Sequence, residues 1–333
     1  MAETPQKIAV LGAGSWGTAL AMQLARRQHH VRLWGRDADH VQQIDANHEN
    51  QRYLPGHRLP PNLDATSDLD VALDAVDAVI IAVPSHGFRE FVGRINVTHD
   101  LGFGIATKGL EHGSGLMLHQ VLREELGADR AVALISGPTF AQEVAQGLPT
   151  AITVASDTPG FADQVAALLH GGTFRCYAAS DMAGVAVGGA VKNIMAIAAG
   201  IADGLGFGAN SRAALITRGL SEITRFGLAL NGQTETFMGL AGLGDLVLTC
   251  TDNQSRNRRL GLALGRGEPL AGAQAAIGQV TEGVDAARQA YAMAAALGVD
   301  MPITEQVYRV LFEQISPREA VQALFARSPT RET

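Results

Sequence analysis

Two observations predict an α/β protein: an N-terminal doubly wound sheet followed by an all-α C-terminal domain. Short apolar runs alternate with helical stretches as far as Ser180, after which the β-rich runs stop and only helical patterns follow. The first apolar run also leads directly into a glycine-rich turn and a helix. The expected domains are 1–180 and 181–333, with the boundary in Ala178-Ala179-Ser180-Asp181.

The elements begin with a strand, Ile8–Leu11, then Gly12-Ala13-Gly14-Ser15-Trp16-Gly17, a helix over Thr18–Arg27 and a strand over His30–Trp34. In this G-x-G-x-x-G frame Gly12 permits the tight turn, Gly14 lets backbone approach a pyrophosphate, and Gly17 lets helix and strand pack closely. Ser15 and Trp16 lie in the turn before the helix, whose N-terminus presents N–H groups to an anion. A glycine turn without a ligand is the plain alternative. The full strand–turn–helix–strand context points to a Rossmann-type dinucleotide site.

The second strand ends in Trp34-Gly35-Arg36-Asp37. An arginine there accommodates the 2′-phosphate of NADP(H), whereas an aspartate bonds the 2′-hydroxyl of NAD(H). Arg36 therefore predicts that NADP(H) is accepted, and Asp37 keeps NAD(H) open. Further strands are expected at Ala78–Val83, Phe103–Thr107, Ala131–Ile135, Thr150–Ala155 and Thr173–Tyr177, with helices at Gly115–Glu125 and Asp157–Leu169. Ligands of such sheets gather at the carboxyl ends of the strands, where Lys108 and Gly137-Pro138-Thr139 stand. Thr139-Phe140-Ala141-Gln142 also fits a capping box, which alone would explain Thr139.

Composition narrows the partners. The 333 residues are 47% hydrophobic and 18% charged, which excludes a disordered chain. A net charge of −7 argues against nucleic acid, so any phosphate must be held by a local cluster. Cys176 and Cys250 belong to no metal or disulfide pattern, which suits a reduced, cytoplasmic protein with no metal site. The polar start, Met1–Lys7, runs straight into a strand, and no signal peptide is expected. Met182–Ala202 is superficially membrane-like but has Lys192 and Asn193 at its centre. A central lysine costs ~2.5–3.5 kcal/mol on insertion scales, so a helix buried in protein is expected rather than membrane insertion.

Helices are expected in the second half at Gly184–Gly200, Ser211–Leu230, Thr234–Leu240, Arg256–Leu264, Glu282–Leu297, Ile303–Phe312 and Pro317–Leu324. Among 26 basic residues lysine occurs only at Lys7, Lys108 and Lys192, which leaves 23 arginines. Base composition explains Lys7. Lys192 asks for more, because its segment is apolar or small on every side: Val185, Val187, Val191, Ile194, Met195 and Ile197. A lysine snorkelling to solvent is the ordinary alternative. Desolvation would lower its proton affinity, and such an amine gives a proton to a carbonyl oxygen as a hydride arrives, which arginine does not do.

Asp245 ends the glycine-rich Gly239-Leu240-Ala241-Gly242-Leu243-Gly244 run, either as a turn residue or as the partner of a substrate hydroxyl or of Lys192. Thr251-Asp252-Asn253-Gln254-Ser255-Arg256-Asn257-Arg258-Arg259 reads as a helix start with arginine and asparagine beside it. That is either a phosphate cradle or a charged, solvated turn.

These motifs occur in one order with Thr107-Lys108-Gly109-Leu110, Ser136-Gly137-Pro138-Thr139-Phe140-Ala141, Val191-Lys192-Asn193-Ile194, Gly204–Asn210 and Gly242–Leu246. In that respect the chain closely resembles the bacterial NAD(P)-dependent sn-glycerol-3-phosphate dehydrogenases over nearly its whole length. The resemblance implies reduction of dihydroxyacetone phosphate to sn-glycerol 3-phosphate for phospholipid synthesis, with Lys192 as proton donor and acceptor. It implies substrate contacts at Lys108, Gly137, Thr139, Lys192, Asp245, Ser255, Arg256 and Asn257. Cofactor contacts are implied at Ser15, Trp16, Arg36, Lys108, Ala141, Arg256, Val280 and Glu282. Family members place serine where this chain has Thr139; the hydroxyl is retained. Two rival readings stay open. A hydroxyacid or ketopantoate reductase would carry a carboxylate site in place of the arginine cluster, and a non-catalytic NADPH sensor would need no buried lysine. A homodimer is compatible with a sequence that does not determine oligomeric state.

Overall fold

The computed structural model describes residues 4–96 and 101–328. The chain divides into two compact units, 1–111 with 116–186, and 112–115 with 187–333. The expected boundary was 180/181; the division falls after Ala186, inside a long helix, and the short 112–115 turn goes with the second unit.

In the first unit, β1 (Lys7–Leu11), α1 (Ser15–Arg26), β2 (His30–Trp34), α2 (Ala38–Asn47), β3 (Leu63–Thr66), α3 (Leu69–Leu73) and β4 (Ala78–Ile81) are followed by α4 (Phe88–Val92) and β5 (Phe103–Ile105). Then come α5 (Leu118–Leu126), β6 (Val132–Ser136), α6 (Ala141–Gln146), β7 (Thr150–Ala155), α7 (Phe161–Leu169) and β8 (Phe174–Ala179). The sheet order is β3-β2-β1-β4-β5-β6-β7-β8, parallel except where β7 runs against β6. Successive residues of β1 and β6 are buried regardless of the face they point to, so both faces of the sheet are covered, as a parallel sheet requires. The core joins Ile8 and Val10 of β1, Leu20 and Leu24 of α1, Leu33 of β2 and Ile135 of β6. The strand order reverses between β1 and β4, and the glycine turn leaves β1 at that switch point.

Two helices start later than the sequence suggests. The 115–125 helix begins at Leu118, because 111–117 first closes a turn with an isolated bridge from Leu110 to Met117. The 157–169 helix begins at Phe161, because Gly160 takes a left-handed conformation at its N-cap. The capping box at Thr139–Gln142 does not form. Here Phe140 is the N-cap of α6, Thr139 Oγ1 donates to the Gly137 carbonyl at 3.2 Å, and Gln142 Oε1 pairs with His57 Nε2 at 2.6 Å.

The second unit is helical. From Val187 on it takes the rest of α8 (Met182–Gly204), then α9 (Ala209–Ala229), α10 (Thr234–Met238), a π-helical turn at Leu240–Gly244, and α11 (Asp245–Thr251). It continues through α12 (Arg256–Gly265), α13 (Leu270–Ile277), α14 (Glu282–Leu297), α15 (Pro302–Phe312) and α16 (Pro317–Phe325). Backbones of α8 and α12 meet through small residues: a Cβ on Gly200 would lie 2.1 Å from the Arg258 carbonyl oxygen, and one on Gly261 2.1 Å from that of Ile197. The length and composition of α8 would let it cross a membrane, yet 94% of its apolar window is buried within the protein.

Candidate active site

The first unit builds a dinucleotide turn. Gly12 has φ +131° and donates its N–H to the Trp34 carbonyl at 2.9 Å; a Cβ there would strike the Ala82 carbonyl at the end of β4. A Cβ on Gly17 would lie 1.9 Å from the Gly12 carbonyl oxygen, so helix and turn close only on glycine. Gly14, in contrast, has nothing within 4 Å of where a Cβ would stand, and as N-cap of α1 it supplies no side-chain cap. An open backbone surface at an uncapped helix start fits a pyrophosphate. Trp16 packs its ring against the core, and its buried indole Nε1 has no hydrogen-bond partner among the described residues.

Beyond β2, Arg36 is exposed, and Asp37 is engaged. The Asp37 carboxylate caps α2 by accepting from His40 N at 3.1 Å and pairs with Arg52 at 2.9 Å; these bonds hold its pKa below the usual carboxylate value. At the strand ends the structure brings together three of the expected residues. Lys108 Nζ and Thr139 Oγ1 both donate to the Gly137 carbonyl, at 3.3 and 3.2 Å. Ala141 opens α6, which Arg26 of α1 ties down through the carbonyls of Val144 (2.8 Å) and Ala145.

In the second unit Lys192 is buried on α8 and does not snorkel. Its Nζ donates to Asp245 Oδ1 and, at 2.8 Å, to Thr249 Oγ1. Asp245 is not a turn residue but the first residue of α11, delivered by the π-helical turn, and Thr249 lies one helical turn further on. Of the readings the sequence left open for Asp245, the pairing with Lys192 is the one that forms. Burial pushes the neighbouring Cys250 thiol up to about 12, against the pull of Lys192, which leaves it inert.

The 251–259 segment forms a helix start. Ser255 is the N-cap of α12 and accepts from Arg258 N at 3.2 Å. Asn257 Oδ1 accepts from Gly283 N at 3.0 Å, and a Cβ on Gly283 would touch Asn193 O and Asn257 Oδ1 at 2.8 Å. The start of α14, with Glu282, is thereby held beside Asn193, the neighbour of Lys192. Arg256 Nη1 reaches Gln279 Oε1 at 3.5 Å, next to the exposed Val280. Thr249 was not singled out in the sequence; its spacing of four from Asp245 on one helix is the signal that would have found it.

A dinucleotide turn on a doubly wound sheet, joined to a helical unit with a buried amine–carboxylate pair, defines a nicotinamide-dependent dehydrogenase of two units. Residues 7–162 match the N-terminal part, and residues 181–322 the C-terminal part, of the NAD-dependent glycerol-3-phosphate dehydrogenases. The chain belongs to that family. It is 58% identical over 322 residues to the glycerol-3-phosphate dehydrogenase [NAD(P)+] of Thioalkalivibrio sulfidiphilus, covering 96% of this chain and 97% of that one. It is 52% identical over 335 residues to the enzyme of that name from Pseudoalteromonas translucida, which covers the full length of both. The crystal structure of glycerol-3-phosphate dehydrogenase from Coxiella burnetii is 50% identical, with a TM-score of 0.93 over 97% of this chain and 99% of that one.

Proposed function

We propose that this protein catalyses the reversible reduction of dihydroxyacetone phosphate to sn-glycerol 3-phosphate with NADPH or NADH, supplying phospholipid synthesis. The observation that carries the reading is the buried Lys192–Asp245 pair one helix away from a Ser255–Asn257 helix start. We assign dinucleotide binding to residues 1–180 and substrate binding and proton transfer to residues 181–333. The cofactor, when bound, supplies a hydride to the ketone carbon. Gly12, Gly14, Ser15, Trp16, Gly17, Arg36, Lys108, Ala141, Arg256, Val280 and Glu282 are the residues proposed to hold it.

Lys192 gives its proton to the C2 oxygen as negative charge develops there and takes it back in the reverse direction. Asp245 and Thr249 hold the amine in position for that step. The substrate phosphate is bound by Ser255, Arg256 and Asn257, through hydroxyl, guanidinium and amide donors at a helix N-terminus. Lys108, Gly137 and Thr139 are proposed to contact the substrate from the strand ends. A reductase for hydroxyacids would not need this phosphate cradle, and a sensor would not need the buried amine.

The test is loss of NADPH and NADH absorbance on adding dihydroxyacetone phosphate to the purified protein. Turnover is expected with this ketone and not with ketopantoate or pyruvate; turnover only with a 2-keto acid would overturn the reading. A cytoplasmic location and a homodimer belong to the same proposal. The two free thiols, Cys176 and Cys250, suit a reducing compartment. Fractionation tests the first and sedimentation equilibrium the second.

A further inference from the structure

Asn50 lies in the segment between α2 and β3, is fully buried, and has all four of its side-chain hydrogen-bonding positions filled. Its Nδ2 donates to the Ala13 carbonyl at 3.0 Å and to Thr18 Oγ1 at 2.8 Å. Its Oδ1 accepts from Tyr53 N at 3.2 Å and pairs with His40 Nε2 at 3.0 Å. The orientation of the amide is unambiguous, because a backbone N–H only donates and a carbonyl only accepts; His40 Nε2 is therefore the donor.

Ala13 is the second residue of the glycine turn, and Thr18 is in the first turn of α1. We infer that Asn50 is a positioning residue for this turn, setting affinity for the dinucleotide without touching it. The inference rests on the proposed cofactor role of Gly12–Gly17. Across a trans peptide the C=O and N–H point to opposite sides, so anchoring the Ala13 carbonyl aims the Gly14 N–H away from Asn50. Gly14 has no side chain to hold its own backbone in place, and Asn50 supplies that constraint from outside. The same amide bonds His40 of α2, whose N-cap Asp37 adjoins Arg36, so one side chain ties both proposed ends of the cofactor site together.

Asn50→Asp tests this. It is isosteric and keeps the acceptor for Tyr53 N and His40, and the Thr18 hydroxyl can turn to donate to it. When ionised it turns an oxygen toward the Ala13 carbonyl oxygen and adds a buried charge, so Thr18→Val, which weakens the same anchor without adding charge, is measured beside it. The control is Asn62→Ala, which removes bonds from Asn62 Nδ2 to the Ala25 and His29 carbonyls at the far end of α1. NADPH affinity is read from quenching of tryptophan fluorescence in the full-length protein, beside KM, kcat and the thermal midpoint.

In Asn50→Asp the NADPH Kd and KM are expected to rise about tenfold or more, the effect of one lost buried hydrogen bond on an oriented site. The kcat at saturating cofactor and the KM for the ketone are expected to stay within about twofold, and Asn62→Ala to lower the thermal midpoint at unchanged Kd. A folded Asn50→Asp protein with wild-type Kd overturns the inference, as does a variant whose kcat and both KM values shift together. If Asn50→Asp does not fold, Thr18→Val, which removes one of the two bonds to the turn, is read the same way, and an unchanged Kd overturns the inference. Failure of the wild-type protein to bind NADPH would instead overturn the proposed function.

Discussion

Lys192 and Asp245 are 53 positions apart in sequence and form an ion pair with side chains 8% and 0% exposed. A buried charge is tolerated when its partner is buried with it, and Thr249 adds a hydroxyl to the same amine. The two charges are thus tolerated together in a buried position where either alone would be costly.

Replacing Lys192 with methionine keeps the length of the side chain and removes the proton. The expected result is a loss of about 10²–10⁴ in kcat, the usual scale for a general acid. NADPH affinity by fluorescence titration should stay near wild type, since the dinucleotide turn belongs to the other unit. A variant that binds cofactor poorly would assign Lys192 a structural role instead.

Asp245→Ala strands the Lys192 ammonium without its counter-charge. Breaking one side of a buried pair costs about 3–5 kcal/mol, whereas replacing both partners by apolar groups is often close to neutral. Urea denaturation should therefore show the single variant strongly destabilised and Lys192→Met/Asp245→Leu largely recovered, though inactive. Equal stability of Asp245→Ala and the wild type would contradict the pair.

Arg36→Ala should weaken NADPH more than NADH, because only NADPH carries the 2′-phosphate. Asp37 is already occupied by the α2 N-terminus and Arg52, which reduces its repulsion of that phosphate. Titration with both cofactors decides; equal losses would refute the assignment.

Glu222 on α9 is almost fully buried, and its two carboxyl oxygens accept from Ile303 N (2.6 Å), Thr304 N (3.1 Å) and Thr304 Oγ1 (3.2 Å) at the start of α15. Burial outweighs these bonds and pushes its pKa up from 4.5 to about 7. The folded state therefore holds a proton that the unfolded chain has released between those values. This contribution to stability is fully present below pH 4.5 and is lost as pH rises through about 7. Denaturation at several pH values should show that decline, and Glu222→Gln should remove it.

Much of the fold was legible because its signals are local. An apolar run, glycines at fixed offsets and a helical period mark β1, the turn and α1 within thirty residues, since sterics and backbone hydrogen bonding act over that range. The N-cap at Ser255 and the span of α14 follow from the same local chemistry. Local reading failed at Thr139–Gln142, where a capping pattern was present but the Gly137 carbonyl and His57 took the side chains. The short helices α2 and α13 escaped because brief, polar or uniformly small segments carry little period.

By itself the sequence determined the kinds of group available: a glycine turn, a lone lysine in an apolar helix, arginine and asparagine at a helix start. Only the tertiary structure decided which partners they have. It chose Asp245 as a partner for Lys192 over the alternatives of a turn residue and placed Thr249 beside it. It set Gly283 against Asn257, and it set Asn50 under Ala13 across 37 positions. Such contacts depend on how whole helices pack, through approaches such as that of Gly200 to Gly261, and no local pattern encodes a distance between residues far apart in the chain.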